Sequence, residues 1–161
     1  MHNFFKSIID LFIYIFDPEQ TSEPNKISKI DIKQVPPSPI EGDLYDLSRK
    51  LVKDLKLSIL FLSHIMYHDD NKLTKAEKNT IKTLLEEKKY YLEESDKIEL
   101  DSFINNKPSL GFVVDYVKEN DYDFKEVERL ILLTIIITER DPKYERVIDN
   151  LEKKLIIEMD Y

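Results

Sequence analysis

The sequence contains no cysteine and no tryptophan, and it has only two glycines among 161 residues. Without cysteine the chain cannot form a disulfide framework, a thiolate zinc site or a cysteine nucleophile. Glycine-rich phosphate loops, dinucleotide-binding fingerprints and nucleophile elbows all need glycine where the backbone turns tightly, so they are excluded too. These absences remove most of the familiar enzyme signatures.

Positive charge is also in short supply. The chain has 24 Lys and Arg against 32 Asp and Glu, a net charge of −8, and the first 42 residues and the remainder are both acidic. Binding to nucleic acid by neutralising phosphates needs a clustered basic face, so we expect no nucleic-acid partner.

The length of the chain suits one globular domain with an additional segment.

The most apolar stretch lies in residues 1–17, where we predict an amphipathic helix. Asp10 interrupts the apolar run and no small-residue cleavage site follows, which argues against a signal peptide. The run is also shorter than the roughly 20 residues needed to span a bilayer. Its apolar surface would lie in a groove of its own domain, at a membrane interface or against another chain. The contacting residues would be Phe4, Phe5, Ile8, Ile9, Phe12, Ile13 and Phe16.

Residues 18–42 hold five of the seven prolines, and we interpret them as a proline-rich linker. The pattern of apolar residues over 43–161 predicts a helical domain, and its first helix is expected to run from Asp43 to about Tyr67. Capping signals mark the later helices. The predicted starts are Thr74 with Glu77, Asp96 with Glu99, Ser109, Asp123 with Glu126, and Asp141 followed by Pro142.

The apolar run 130–137 is rich in β-branched residues, so a buried strand competes with a helix there. We favour a helix because of the Asp123–Glu126 cap and the length of the segment. A repeat then becomes visible: residues 57–66 and 130–138 each read as a buried helix that leads into an acidic turn and another helix. This plan predicts a compact bundle with two central apolar helices.

In this plan the chain resembles the tellurite-resistance TerB-like family, whose all-helical domains contain two such turns. Residues 70–77 match the first turn, with Asn71 where glycine is usual, and asparagine tolerates the left-handed conformation. The second turn is shortened and keeps Asp141 and Glu145. The resemblance implies a non-enzymatic domain at the cytoplasmic face of the membrane, in stress-related or defence-related protein complexes, sometimes binding metal through acidic residues.

The acidic turn is a candidate cation site, with oxygens from Asp69, Asp70, Asn71 and Glu77. Hard cations such as Ca²⁺ take six to eight oxygen ligands. Met66 stands where an EF-hand would have its leading aspartate, which excludes a full EF-hand. The competing interpretation is that Glu77 caps a helix while the aspartates are solvated. We therefore expect no tightly bound cofactor, with a weakly bound divalent cation as the alternative.

His64 and His68 are spaced to share a zinc ion on one helix, and Asp69 follows them. Ile65 occupies the place of the glutamate in the HExxH motif, so that metalloprotease pattern is missing. His64 lies on an apolar helix face, and we predict a hydrogen-bonded core histidine. A hydrolase centred on His64, His68 and Asp69 is the last alternative.

The sequence thus predicts an all-α, TerB-like helical bundle with two pseudo-repeated helix-turn-helix units, preceded by an amphipathic N-terminal helix. We expect no catalytic residues. The predicted function is that of an adaptor that binds other proteins, located in the cytoplasm and peripheral to the inner face of the membrane. The alternative is a sensor or buffer of divalent metal ions that uses the acidic turn.

Overall fold

The computed structural model describes residues 40–68 and 70–159, with side chains from Gly42 onward. The predicted helix over 1–17, residues 18–39 of the predicted linker, and Asp69 lie outside the described residues. The described part is all-helical, with six α-helices and no strand. The helices are α1 (Ile40–Tyr67), α2 (Lys75–Lys88, followed by a 3₁₀ turn at Lys89–Tyr91), α3 (Glu94–Asn105), α4 (Leu110–Glu119), α5 (Phe124–Ile137) and α6 (Pro142–Glu158).

Local capping sets most of the helix starts, as predicted. Thr74 Oγ1 accepts from the amide of Glu77 at 3.2 Å, and Glu77 Oε2 accepts from the amide of Thr74 at 2.7 Å. Asp123 and Glu126 make the same reciprocal pair before α5. Each box satisfies two of the backbone amides that a helix N-terminus leaves without partners. Ser109 also caps α4, as predicted.

The predicted start of α3 at Asp96 is wrong. The helix begins at Glu94 with Glu93 as the N-cap, and Asp96 is the third helical residue. The Asp96 carboxylate accepts from the amide of Glu93 at 2.9 Å. Glu93, Glu94 and Asp96 lie within four residues of one another, so the local sequence did not indicate which of them occupies the N-cap position.

Helix α1 lies at the centre of the domain. Every residue from 57 to 63 is buried, so its second half is enclosed on all sides, as predicted. Polar contacts join α1 to its surroundings: the Tyr122 hydroxyl donates to the carbonyl of Lys53 at 2.6 Å, and the Tyr67 hydroxyl donates to the carbonyl of Ile104 at 2.8 Å. These bonds fix the segments on either side of α4 against α1.

Helix α5 confirms the helical prediction for 130–137, and the strand alternative is wrong. The expectation that this whole run is buried is also wrong. Leu130 is fully buried, but Leu132 is 54 % exposed. Because a helix turns by about 100° per residue, an apolar run longer than one turn also covers the outward side of the helix. Of the two helices predicted to be central, α1 contains an enclosed segment, residues 57–63, whereas α5 has an exposed side.

None of the described helices combines the length and the apolar character that a membrane-spanning segment requires. The longest of them, α1, carries charged residues along its first half.

The connection between α5 and α6 is strained. Glu139 has φ = 56° and Arg140 has φ = 52°, in the left-handed region that glycine tolerates best. The two glycines of the chain, Gly42 and Gly111, lie within helices and neither has a positive φ. Among the described residues of the acidic turn, His68 has a positive φ of 27°, and Asn71 does not have a positive φ.

We expect Glu139→Gly to raise the free energy of unfolding by about 1 kcal/mol, because glycine removes the Cβ clash of the left-handed conformation. Urea denaturation followed by circular dichroism measures this difference. Glu139→Gln is the matched control, since it removes the charge and keeps the Cβ atom. Equal stability of the two variants would contradict the strain at this position.

Candidate functional site

The exposed part of the acidic turn carries two of the predicted cation ligands. Asp70 and Asn71 are both exposed. The carbonyl of Asp70 accepts from Lys107 Nζ at 2.9 Å, and its carboxylate lies 3.5 Å from His68 Nε2. The bond from Lys107 holds the turn against the connection between α3 and α4, and the contact with His68 lies within the turn. Asp69, the third predicted ligand, lies outside the described residues.

Glu77, the fourth predicted ligand, is buried and fully bonded. Oε2 accepts from the amide of Thr74, and Oε1 accepts from the Tyr144 hydroxyl at 2.5 Å and lies 3.4 Å from Lys143 Nζ. Burial alone would raise the pKa of Glu77, but the hydrogen bonds from Tyr144, Thr74 and Lys143 outweigh it and lower the pKa. Glu77 therefore joins the start of α2 to the start of α6 as a carboxylate.

A cleft of about 400 Å³ lies beside this bond, between the start of α2 and the connection from α5 to α6. Thr80, Thr138 and Asp141 are among its lining residues. The hydroxyls of Thr80 and Thr138 donate to backbone carbonyls of their own helices. Among the described residues, no group of three or more His, Cys, Asp or Glu side chains is placed to hold a metal ion. The cation site stays a prediction, because Asp69 belongs to it.

The two histidines have different surroundings. His64 Nδ1 lies 2.9 Å from the carbonyl of Pro108, so this nitrogen carries a proton and donates it. Burial lowers the pKa of His64, which favours the neutral ring. The His68 ring lies 5.8 Å from the ring of Tyr144, centroid to centroid. This bonding of His64 agrees with the predicted core histidine.

A charge cluster that joins α1 to α3 was not predicted. Asp96 is 1 % exposed. Its carboxylate accepts two hydrogen bonds from Arg49, at 2.7 and 2.9 Å, and forms an ion pair with Lys56 Nζ at 2.8 Å. The Arg49 hydrogen bonds hold the pKa of Asp96 far below its usual range, against the effect of burial. Lys56 also pairs with Glu99 at 2.6 Å. The carboxylate is saturated with donors, which suits a structural role.

A third buried carboxylate, Asp54, lies between α1 and α5. Its Oδ2 is 3.1 Å from Arg129 Nη2, while Oδ1 has no hydrogen-bond partner among the described residues. Burial raises the pKa of Asp54, and the charge of Arg129 opposes that rise. Asp54 lies below the surface, so this pair serves the contact between the two helices.

The surface feature that sequence reasoning missed is an apolar groove, which we call the α5–α6 groove. The groove has a volume of about 190 Å³ and is open to solvent on one side, and most of its lining area is apolar. The lining residues are Phe124, Val127, Glu128, Ile131, Leu132, Glu152, Leu155 and Ile156. Two of these, Leu132 and Ile156, are 54 % and 42 % exposed.

Two carboxylates flank this groove, Glu128 on α5 and Glu152 on α6. No Lys or Arg is among the described residues that line it. Burial raises the pKa of Glu152, and the nearby charge of Asp149 raises it further. The sequence carried a signal for this surface, because Leu132 follows Glu128 by one helical turn and so shares its outward face.

The residues predicted to contact a membrane or a partner, from Phe4 to Phe16, lie outside the described residues. That prediction therefore stays a hypothesis. Comparisons of the whole chain with protein-family models, with curated proteins and with solved structures found no match.

Proposed function

We propose that this chain is a non-enzymatic protein-interaction domain and that it binds through the α5–α6 groove. The observation that carries the proposal is that Leu132 and Ile156 are both exposed and line one groove with buried apolar side chains. Water-exposed apolar surface costs about 25 cal/mol per Å², and a concave patch of this kind is typical of a binding site.

The bonding of two buried carboxylates, Asp96 and Glu77, supports the same proposal. Asp96 is held by Arg49 and Lys56, and Glu77 by Thr74 and Tyr144. Carboxylates that already accept this many hydrogen bonds have low pKa values and are poor proton acceptors. Their use within the fold favours a binding role for the domain.

The TerB-like plan enters the proposal as its finer part. The Glu77–Tyr144 hydrogen bond links the first turns of α2 and α6, the two helices that the pseudo-repeat sets in corresponding places. In this proposal the domain works as an adaptor at the cytoplasmic membrane surface in a stress-related or defence-related complex. Residues 4–16 would supply the contact with the membrane.

Site-specific cross-linking in cells tests both parts. With a photo-reactive phenylalanine analogue at position 132, we expect a discrete heteromeric product that Ile156→Asp reduces at least about tenfold, since buried apolar anchors dominate interfaces. The product should sediment with membranes. The pair Phe12→Asp/Ile13→Asp should move it to the soluble fraction without abolishing it.

The control position is Tyr90, which is 85 % exposed and lies outside the groove. Equal cross-linking from positions 90 and 132, or a product at 132 that Ile156→Asp leaves unchanged, would contradict binding through the groove. If the cross-linked product is found in the soluble fraction even when Phe12 and Ile13 are intact, only the membrane location is contradicted.

A further inference from the structure

The charges around the α5–α6 groove indicate the kind of partner that it takes, an inference that rests on the proposed function. Glu128 and Glu152 stand on opposite helices of the groove, one on each wall. Neither makes an ion pair with another described residue. Glu158, further along α6, does pair with Lys118 and with Lys154. The groove therefore has an apolar floor and two acidic walls.

The dimensions suit a few aliphatic side chains. A cavity of about 190 Å³ has room for one or two side chains of the size of leucine or isoleucine. An apolar groove between two helices can bind a third helix, which inserts side chains spaced one turn apart. A helix with apolar side chains on one face and polar ones beside them fits this shape.

The walls select for positive charge on that helix. Glu152 is half-buried beside Leu155 and Ile156, where its carboxylate is poorly solvated. A docked helix would cover it further, and a buried carboxylate without a partner is costly. A Lys or Arg on the incoming helix relieves that cost, whereas an Asp or Glu there adds repulsion.

Other occupants match these charges less well. A second copy of the chain would bring the same acidic walls, on a molecule of net charge −8. The N-terminal segment carries Lys6 but also Asp10, so it offers no excess of positive charge. The cytoplasmic face of a membrane is anionic, and Glu128 and Glu152 would be repelled by it.

We propose that the α5–α6 groove binds a basic amphipathic helix of a partner protein, which places aliphatic side chains between Leu132 and Ile156 and Lys or Arg side chains beside Glu128 and Glu152. The partner is thus recognised by a helical segment with cationic residues on both flanks of an apolar stripe.

Fluorescence anisotropy with two model peptides tests this proposal on the full chain. Both are helices of about 18 residues with leucine at one-turn spacing, and one carries lysine where the other carries glutamate. At about 50 mM salt we expect the lysine peptide to bind at least about tenfold more tightly than the glutamate peptide.

Substitutions in the groove distinguish this binding from general attraction to an acidic protein. Glu128→Gln/Glu152→Gln should weaken binding of the lysine peptide about fivefold. Asp101→Asn/Asp115→Asn is the control of equal net charge, on exposed residues of α3 and α4 outside the groove, and it should change binding less than about twofold. Leu132→Asp should abolish the binding, with circular dichroism showing that the variant is folded.

Equal effects of the two charge-neutralised pairs would overturn the proposal, and so would binding that Leu132→Asp leaves intact. If the glutamate peptide binds as tightly as the lysine peptide while cross-linking from position 132 still depends on Ile156, the groove binds a partner but the inferred charge is wrong. If the cross-linking fails as well, the proposed function itself fails.

Discussion

Replacing Asp96 with alanine is expected to lower the free energy of unfolding by about 3 kcal/mol, because it leaves the cations gathered around this carboxylate without their buried partner. Arg49 donates one hydrogen bond to each carboxylate oxygen of Asp96, and Lys56 Nζ lies close to Oδ1 of the same carboxylate. The substitution also removes the acceptor for the amide of Glu93 at the start of α3. Partial exposure of Arg49 and Lys56 keeps the expected effect below that of a fully buried pair.

Urea denaturation at neutral pH measures this loss, and the pH dependence checks its cause. The pKa of Asp96 is depressed in the folded protein, so its contribution is present above the unfolded value of about 4 and is lost as the pH falls toward the folded pKa. The difference between the unaltered chain and Asp96→Asn should therefore shrink in acid. Asp101→Asn, on an exposed residue of the same helix, is the matched control. A loss no larger than that of the control would contradict the role of the cluster.

Glu77→Ala is expected to lower the free energy of unfolding by about 2 to 3 kcal/mol, because it removes both a capping box and a bond between distant helices. One carboxylate oxygen accepts from the amide of Thr74 and the other from the hydroxyl of Tyr144. Tyr144→Phe, which deletes only the donor, should cost about 1.5 kcal/mol because the acceptor is charged and buried.

A double-mutant cycle separates these two contributions. If Glu77 and Tyr144 act through their shared bond, the combined variant should lose about 1 kcal/mol less than the sum of the two single losses. Glu126→Ala is the matched control, since Glu126 completes the equivalent capping box of α5. Strict additivity, or equal losses for the two glutamate variants, would show that the link to α6 contributes nothing.

The starts of α2, α4, α5 and α6 could be predicted because the signals are local. Thr74 and Asp123 each sit three residues before a glutamate, and Pro142 follows Asp141, so a few neighbouring side chains decide these caps. At α3 the same reasoning placed the cap at Asp96 instead of Glu93. The pairing of Asp96 with Arg49 spans 47 residues of chain, and no local pattern encodes it.

The candidate groove was missed for a related reason. The apolar run 130–137 indicates that α5 meets a core, but hydrophobicity alone does not tell which side of the helix does so. Packing leaves Leu132 outward while Leu130 and Leu133 face inward. The bond from Tyr144 to Glu77, across 67 residues, likewise depends on how α6 returns to α2.

By itself, the sequence determined that the described part of this protein is helical and where most of the described helices begin. It also determined that the chain has no cysteine and only two glycines, too few for many catalytic motifs. Each of these properties follows from composition or from contacts within a turn of helix. Only the tertiary structure decided which carboxylates are bonded, which apolar residues stay exposed and where a groove with acidic walls forms. Those properties depend on side chains far apart in the chain, and the packing of the helices brings them together.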